Sequence, residues 1–271
     1  MVSYPTECCS CCSCCNFCFP FLARFKPAKE QHFILKIMAI EALVIVLIES
    51  FGQYLKLFKA ILYPFRMAMV IFHELGHAST AILCGGKLSG FKIRMNESGV
   101  TSYLSSGSGL CLISPAGFGG AAIISGILLF CGFGHKTSRF ACIFLACTGI
   151  VIFWSGSLAT AFVLLVYMAA NILLAYFDPI VKNIIVVQHF VLLLGNVAFW
   201  SSISNIFQTV IIHKAEDSDG VVFATECMKF LPSRVVGVLF VMMSFFFVGS
   251  ILLLSIAYYR KRSGDIEMSW K

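Results

Sequence analysis

Phe65-Arg66-Met67-Ala68-Met69-Val70-Ile71-Phe72-His73-Glu74-Leu75-Gly76-His77-Ala78-Ser79-Thr80-Ala81-Ile82-Leu83-Cys84 is an apolar run of 20 residues with a His-Glu-Leu-Gly-His pentapeptide at its centre. A helix of about 20 residues covers the ~30 Å of a bilayer core, so the run reads as a membrane helix. His73 and His77 stand four residues apart on that helix and project from one face, where two imidazoles can hold one zinc ion. Glu74 then takes the place of general base, accepting a proton from a water that the zinc acidifies. Apart from the motif, the run carries only Arg66, near its start. Ionisable groups in hydrocarbon are costly and usually mark a site, which separates this motif from a chance match.

The rest of the 271-residue chain agrees with a membrane setting. Hydrophobic residues make up 59% and charged residues 12%, and the mean hydropathy is +0.91. Apolar stretches of spanning length fall at 33–51, 65–84, 110–133, 140–177, 184–212 and 235–259. Phe140 to Phe177 runs 38 residues without a charge. One helix of that length would reach about 57 Å, so the stretch predicts two helices that turn near Ser155-Gly156-Ser157. The expected fold is therefore an all-α polytopic membrane protein of six to seven transmembrane helices. The count is six if the first stretch, with Lys36, Glu41 and Glu49, lies on the surface.

The expected organisation is a Cys-rich, cytosolic tail at 1–32, one transmembrane domain at 33–259, and a basic tail at 260–271. The formal net charge is +7. Its basic residues sit beside membrane segments, as in Arg24, Lys26 and Lys29 before the first and Arg260, Lys261 and Arg262 after the last. Such positions predict contact with anionic lipid head groups and not with nucleic acid. Seven of 13 cysteines crowd into the tail as Cys8, Cys9, Cys11, Cys12, Cys14, Cys15 and Cys18. S-palmitoylation is the preferred expectation for them, ahead of a thiolate metal cluster or an unmodified tail. A reducing, cytosolic location suits the first two, and lipidated cysteines fit a Golgi or plasma membrane.

Between the motif and the next span, Gly85-Gly86 predicts a helix stop. Phe91, Ile93 and Met95 alternate with Lys92, Arg94 and Asn96, the period of a strand. A turn at Ser98-Gly99 and a return strand from Val100 to Leu104 complete a short β-hairpin, which either clamps an extended substrate by strand addition or rests on the head groups. Asn96-Glu97-Ser98 is a glycosylation sequon if this loop is luminal. Pro64 marks the start of the histidine helix. Small residues around Pro115 predict close packing of the next helix against it.

A catalytic zinc wants three protein ligands and one open position. The third is sought after the span 184–212, in the acidic stretch His213-Lys214-Ala215-Glu216-Asp217-Ser218-Asp219-Gly220. Asp219 is the first choice, with Asp217 and Glu216 as alternatives and Asn205, inside the span, as a neutral one. If 140–177 is a hairpin, this stretch and the 85–109 loop share a membrane face.

In this combination the chain resembles the site-2 protease family of intramembrane zinc metallopeptidases, in its small "B-like" branch. The resemblance rests on His73-Glu74-Leu75-Gly76-His77-Ala78, Gly85-Gly86-Lys87, Ser98-Gly99-Val100-Thr101, Pro115-Ala116-Gly117-Phe118-Gly119-Gly120 and Ser218-Asp219. It implies a zinc protease that cuts a transmembrane or juxtamembrane peptide, with His73 and His77 as ligands, Glu74 as base and an aspartate as third ligand. The chain departs from the family where Ser204-Asn205-Ile206 stands in place of Tyr-Asp-Ile. If that lost aspartate is the third ligand the site is weakened, and if Ser218-Asp219 supplies it the site is complete. A catalytically inactive scaffold of the same fold, binding membrane segments or lipids, is the competing expectation. A transporter is the third, but no internal repeat organises the polar residues of the spans.

Overall fold

The computed structural model describes residues 25–51, 56–94, 97–104, 109–150, 158–177, 186–216 and 218–263. They form a helical bundle with one hairpin: α1 (Lys29–Ser50), α2 (Lys56–Leu83), β1 (Lys87–Arg94), β2 (Ser98–Leu104), α3 (Leu110–Gly132), α4 (His135–Ile150), α5 (Leu158–Phe177), α6 (Val186–Ile206), α7 (Asp219–Glu226) and α8 (Ser233–Ser263). A π-helical turn, Phe207–Ile212, extends α6. The tail cysteines from Cys8 to Cys18 lie outside the described residues.

The centre of the bundle is α3 against α6. The former also packs on α2, α4, α7 and α8, and the latter on α1, α2 and α4. What lets α2 approach so closely is glycine. At the crossing a β-carbon on Gly76 would strike the backbone of Ala116, and one on Gly120 would strike the backbone of Gly76. Small residues thus replace side-chain spacers with backbone contact, as the sequence leads one to expect. Phe72, Ile113, Leu128, Leu145, Val191 and Leu194 are fully buried around this centre.

Three of the described helices are long and apolar enough to cross a membrane: Leu110–Gly132, Val186–Ile212 and Ser233–Arg260. Six to seven were expected. Polar groups account for part of the difference. Lys36, Glu41 and Glu49 lie in α1, and Arg66 with the motif itself in α2, so polar groups dilute both helices. The described part of α4 covers 16 residues and ends at Ile150, beside residues outside the described ones. The uncharged α5 has 20 residues, and its start adjoins residues outside the described ones. The uncharged stretch 140–177 does form two helices that pack on each other, and the turn expected at Ser155-Gly156-Ser157 lies outside the described residues.

Polar groups of α1 turn inward. Asn196 Nδ2 donates to Glu41 Oε2 at 2.7 Å, and Ser201 Oγ donates to Glu49 Oε1 at 2.8 Å. Gln31 Nε2 donates to the Ile256 carbonyl, and Arg260 Nη1 donates to that of Lys26. The start of α1 and the end of α8 therefore share one end of the bundle.

Two local expectations shift. Pro64 lies inside α2, more than two turns beyond its start. Leu62 packs on Ile45, Ile48 and Val197, and this contact holds the helix N-terminal to the proline. Gly85 stops α2 as expected, with φ +75° and the Gly86 N–H on the Ala81 carbonyl at 2.9 Å. In the hairpin, Arg94 pairs with Ser98 and Ile93 with Gly99, so both Ser98 and Gly99 belong to β2 and not to the turn. The turn precedes them, and Glu97 adopts φ +62° in it.

Candidate metal centre

Helical spacing brings His73 and His77 to one face of α2, and α7 delivers Asp219 to them from 142 residues further along the chain. Asp219 opens α7, where a carboxylate also suits the positive end of the helix dipole. Its Oδ2 lies 2.8 Å from His73 Nε2 and 3.1 Å from His77 Nε2, and the two Nε2 atoms are 3.1 Å apart. Among the described residues this is the one group of three ligand types, with all ligand atoms within 4.8 Å of one another.

The donor chemistry of this triangle suits a cation. His77 Nδ1–H donates to the Ile113 carbonyl at 2.7 Å, which leaves the lone pair of a neutral ring on Nε2. A backbone carbonyl fixing the outer nitrogen in this way is the usual support of a metal-bound histidine. Two imidazole nitrogens face each other across 3.1 Å, an arrangement that needs a proton or a metal ion between them. Burial alone would raise the Asp219 carboxyl, but both imidazoles, when they carry the Nε2 proton, hold it well below the usual carboxylate range. The residues present fit a divalent ion taken by two nitrogens and one oxygen.

Neighbouring elements hold the triangle in place. Ser114 Oγ, on α3, donates to the Asp219 carbonyl at 2.7 Å. Phe118 sets its ring edge-on to His73, with centroids 4.9 Å apart. Gly117 faces both histidines, and a β-carbon there would collide with the two Nε2 atoms. Cys111 at the start of α3 is disulfide-bonded to Cys227 just after α7, so both ends of the support are joined.

Glu74 is 6% exposed and is held from β2. Thr101 Oγ1 donates to its Oε2 at 2.6 Å. Gly99 leaves room for its side chain, since a β-carbon there would overlap the carboxylate. At the hairpin tip Glu97 Oε2 meets Arg66 Nη2 at 2.5 Å, and Arg66 Nε lies 3.5 Å from Glu49. All of these residues border one cavity of about 890 Å³ that runs from Glu49 and Arg66 to His77 and Asp219.

Of the alternatives for a third ligand, Glu216 is exposed and joins no metal-type cluster, and Asp217 lies outside the described residues. Asn205 lines the cavity from α6 but makes no hydrogen bond to His73, His77 or Asp219. Thr101, Ser114, Gly117 and the Cys111–Cys227 pair carry no motif-level signal of their own. Thr101 and Gly117 do sit inside short stretches that the family resemblance singles out.

A family model described as Peptidase M50B-like matches residues 36–251. The matched range holds α2, the hairpin, α3 and α7, and so every residue of the triangle. No curated protein and no solved structure matches the chain.

Proposed function

The chain belongs to the peptidase M50B-like family, of site-2 protease type, and from that premise we propose that it is an intramembrane zinc metalloprotease. The observation that carries the reading is the convergence of His73, His77 and Asp219 beside a buried Glu74 in one cavity. It also bears on the departure at Asn205: Asp219 offers a carboxylate to the histidines without it.

His73 Nε2, His77 Nε2 and Asp219 Oδ2 would hold the metal. When bound, zinc supplies a Lewis acid that polarises water and a peptide carbonyl. Glu74 accepts the proton of the attacking water on its carboxylate and passes it to the leaving amine nitrogen. The Thr101 hydroxyl fixes one carboxylate oxygen and leaves the other to work. The Ile113 carbonyl keeps the His77 proton on Nδ1 and its lone pair toward the metal. The cavity admits a polypeptide segment, and buried walls of α2, α3 and α6 limit the water around it. Substrates of this site are transmembrane or juxtamembrane peptides, in a multi-pass protein held among lipids.

The test is metal content by mass spectrometry of detergent-purified protein, with peptide hydrolysis measured beside it. About one zinc per chain is expected in wild type and in Glu74→Gln, with hydrolysis lost in the latter. Asp219→Ala should lose the metal and Asn205→Ala should keep it. Wild-type protein that folds yet takes up no zinc overturns the enzyme reading and leaves the non-catalytic scaffold.

A further inference from the structure

Strand β2 turns one of its faces to the cavity. Side chains alternate across a strand, and here Gly99, Thr101 and Tyr103 are half-buried while Val100, Ser102 and Leu104 are exposed. Gly99 leaves room for Glu74, Thr101 Oγ1 donates to Glu74 Oε2, and Tyr103 borders the same cavity as Asp219. The irregularity of the hairpin falls at this point. Leu88 pairs with Tyr103 and Gly90 with Ser102, so Ser89 is an extra residue on β1. A bulge of this kind increases the local twist and re-aims a neighbouring side chain. Among the described residues the Tyr103 hydroxyl is committed to no hydrogen bond, so its proton is free to donate into the cavity. Burial, and after it the charge of Asp219, raises the phenol above its ordinary range. The group is therefore a protonated donor at neutral pH, within electrostatic reach of the metal triangle.

We propose that Tyr103 is a second catalytic residue of this site, whose hydroxyl donates a hydrogen bond to the scissile carbonyl oxygen as that oxygen gains charge. The inference rests on the protease reading. Two residues of strand set Thr101 and Tyr103 about 6.6 Å apart on one face. A peptide carbonyl beside the histidines and Asp219 then has Glu74, held by Thr101, on one flank and the phenol on the other. When water attacks, its oxygen bonds to the carbonyl carbon, its proton goes to Glu74, and the carbonyl π pair moves onto oxygen. Tyr103 keeps its proton and shares it with that oxygen through the hydrogen bond. The carbonyl then re-forms, the C–N bond breaks with its electron pair on nitrogen, and Glu74 passes the proton there. A donor aimed at an oxygen that becomes charged acts on the transition state more than on the bound substrate.

The test uses the full chain, purified in detergent with its zinc, as wild type, Tyr103→Phe and Ser102→Ala. Zinc content and unfolding temperature are measured on each. Phenylalanine keeps the ring and removes the donor. The kcat of peptide hydrolysis should fall about 100-fold in Tyr103→Phe, with KM within about twofold and zinc unchanged. Ser102→Ala, on the opposite face of β2, should match wild type. Affinity for a phosphinic peptide, which places a charged oxygen on a tetrahedral centre, should weaken by a similar factor in Tyr103→Phe. Affinity for the uncleaved substrate peptide, measured in Glu74→Gln with and without Tyr103→Phe, should not change. A side chain that merely shapes the cavity would move both affinities together. An unchanged kcat, a loss carried by KM, equal weakening of both ligands, or loss of zinc or fold in Tyr103→Phe overturns the proposal. Wild type that holds zinc and cleaves peptide beside an equally active Tyr103→Phe defeats this assignment alone. Wild type with neither zinc nor hydrolysis defeats the protease reading, and the assignment with it.

Discussion

Thr101 and Glu74 meet through a 2.6 Å hydrogen bond from the threonine hydroxyl to one carboxylate oxygen, the contact that ties the β-hairpin to the base of the proposed reaction. The same hydroxyl also lies 3.2 Å from the Glu74 carbonyl. A side chain free to rotate would spend most of its time out of line with a reacting water. Thr101 removes that freedom from one oxygen only.

Thr101→Val keeps the shape and deletes the donor. A hydrogen bond to a charged group contributes about 1.5–3 kcal/mol, so the kcat of peptide hydrolysis should fall by roughly 10- to 100-fold. Zinc content should not change, and Thr101→Ser should recover most of the rate. An unchanged kcat in the valine variant would remove Thr101 from the positioning of Glu74.

Gly117→Ala tests the packing under the metal triangle. The added methyl occupies the space of both Nε2 atoms, so the histidines have to part. Zinc should be lost or held at least about tenfold more weakly, a ~1.4 kcal/mol change in binding. Gly119→Ala, on the same helix with nothing near its would-be β-carbon, is the matched control and should bind zinc normally. Equal zinc retention in the two would contradict the geometry.

Glu97→Gln loosens the hairpin tip. The Arg66–Glu97 pair is largely buried, with side chains 15% and 19% exposed. Loss of the charge should weaken local closure by about 1–3 kcal/mol. Hydrogen exchange of residues 87–104 should then quicken while α3 and α6 stay protected. Exchange spread over the whole bundle would show that the pair supports the fold and not the hairpin.

Gly120→Leu drives a branched side chain into the backbone contact with Gly76. Overpacking of this kind costs about 3 kcal/mol or more. Detergent-purified protein should unfold several degrees lower, and zinc should fall with it because the same crossing sets Gly117 beneath the histidines.

Cys111→Ser with Cys227→Ser opens the staple between α3 and α7. Removal of a native disulfide commonly costs 2–5 kcal/mol. The double variant should release zinc faster to a chelator, since Asp219 opens the helix that the disulfide tethers. A release rate equal to wild type would confine the bridge to stability alone.

The pentapeptide and its apolar setting determined a good deal by themselves. Helical periodicity is a local property, so the pairing of His73 with His77 and the place of Glu74 between them followed from spacing. The same holds for the stop at Gly85, where a positive φ suits glycine, and for the alternation that made the hairpin. The lack of charge from Phe140 to Phe177, set against the thickness of a bilayer, required two helices. The expected number of spans exceeds the three helices that are long and apolar enough among the described residues. In α1 and α2 the polar residues that face inward to Asn196, Ser201 and the metal triangle weigh as much as if they faced lipid. The turn was misplaced by the reading of Gly99 as a bend, when its lack of a side chain makes room for Glu74.

Only the tertiary structure decided what crosses the chain. Nothing local distinguishes Asp219 from Glu216 as a neighbour of the histidines; the packing of α7 on α3 does, because it turns one carboxylate inward and leaves the other exposed. The partners of Glu74 and His77, the pairing of Cys111 with Cys227, and the meeting of the start of α1 with the end of α8 are contacts between residues 27 to 234 apart. Sequence fixes which groups a segment can offer through its own periodicity. Which of them meet depends on how helices far apart in the chain bury their faces against one another, and that energy is shared by the whole bundle.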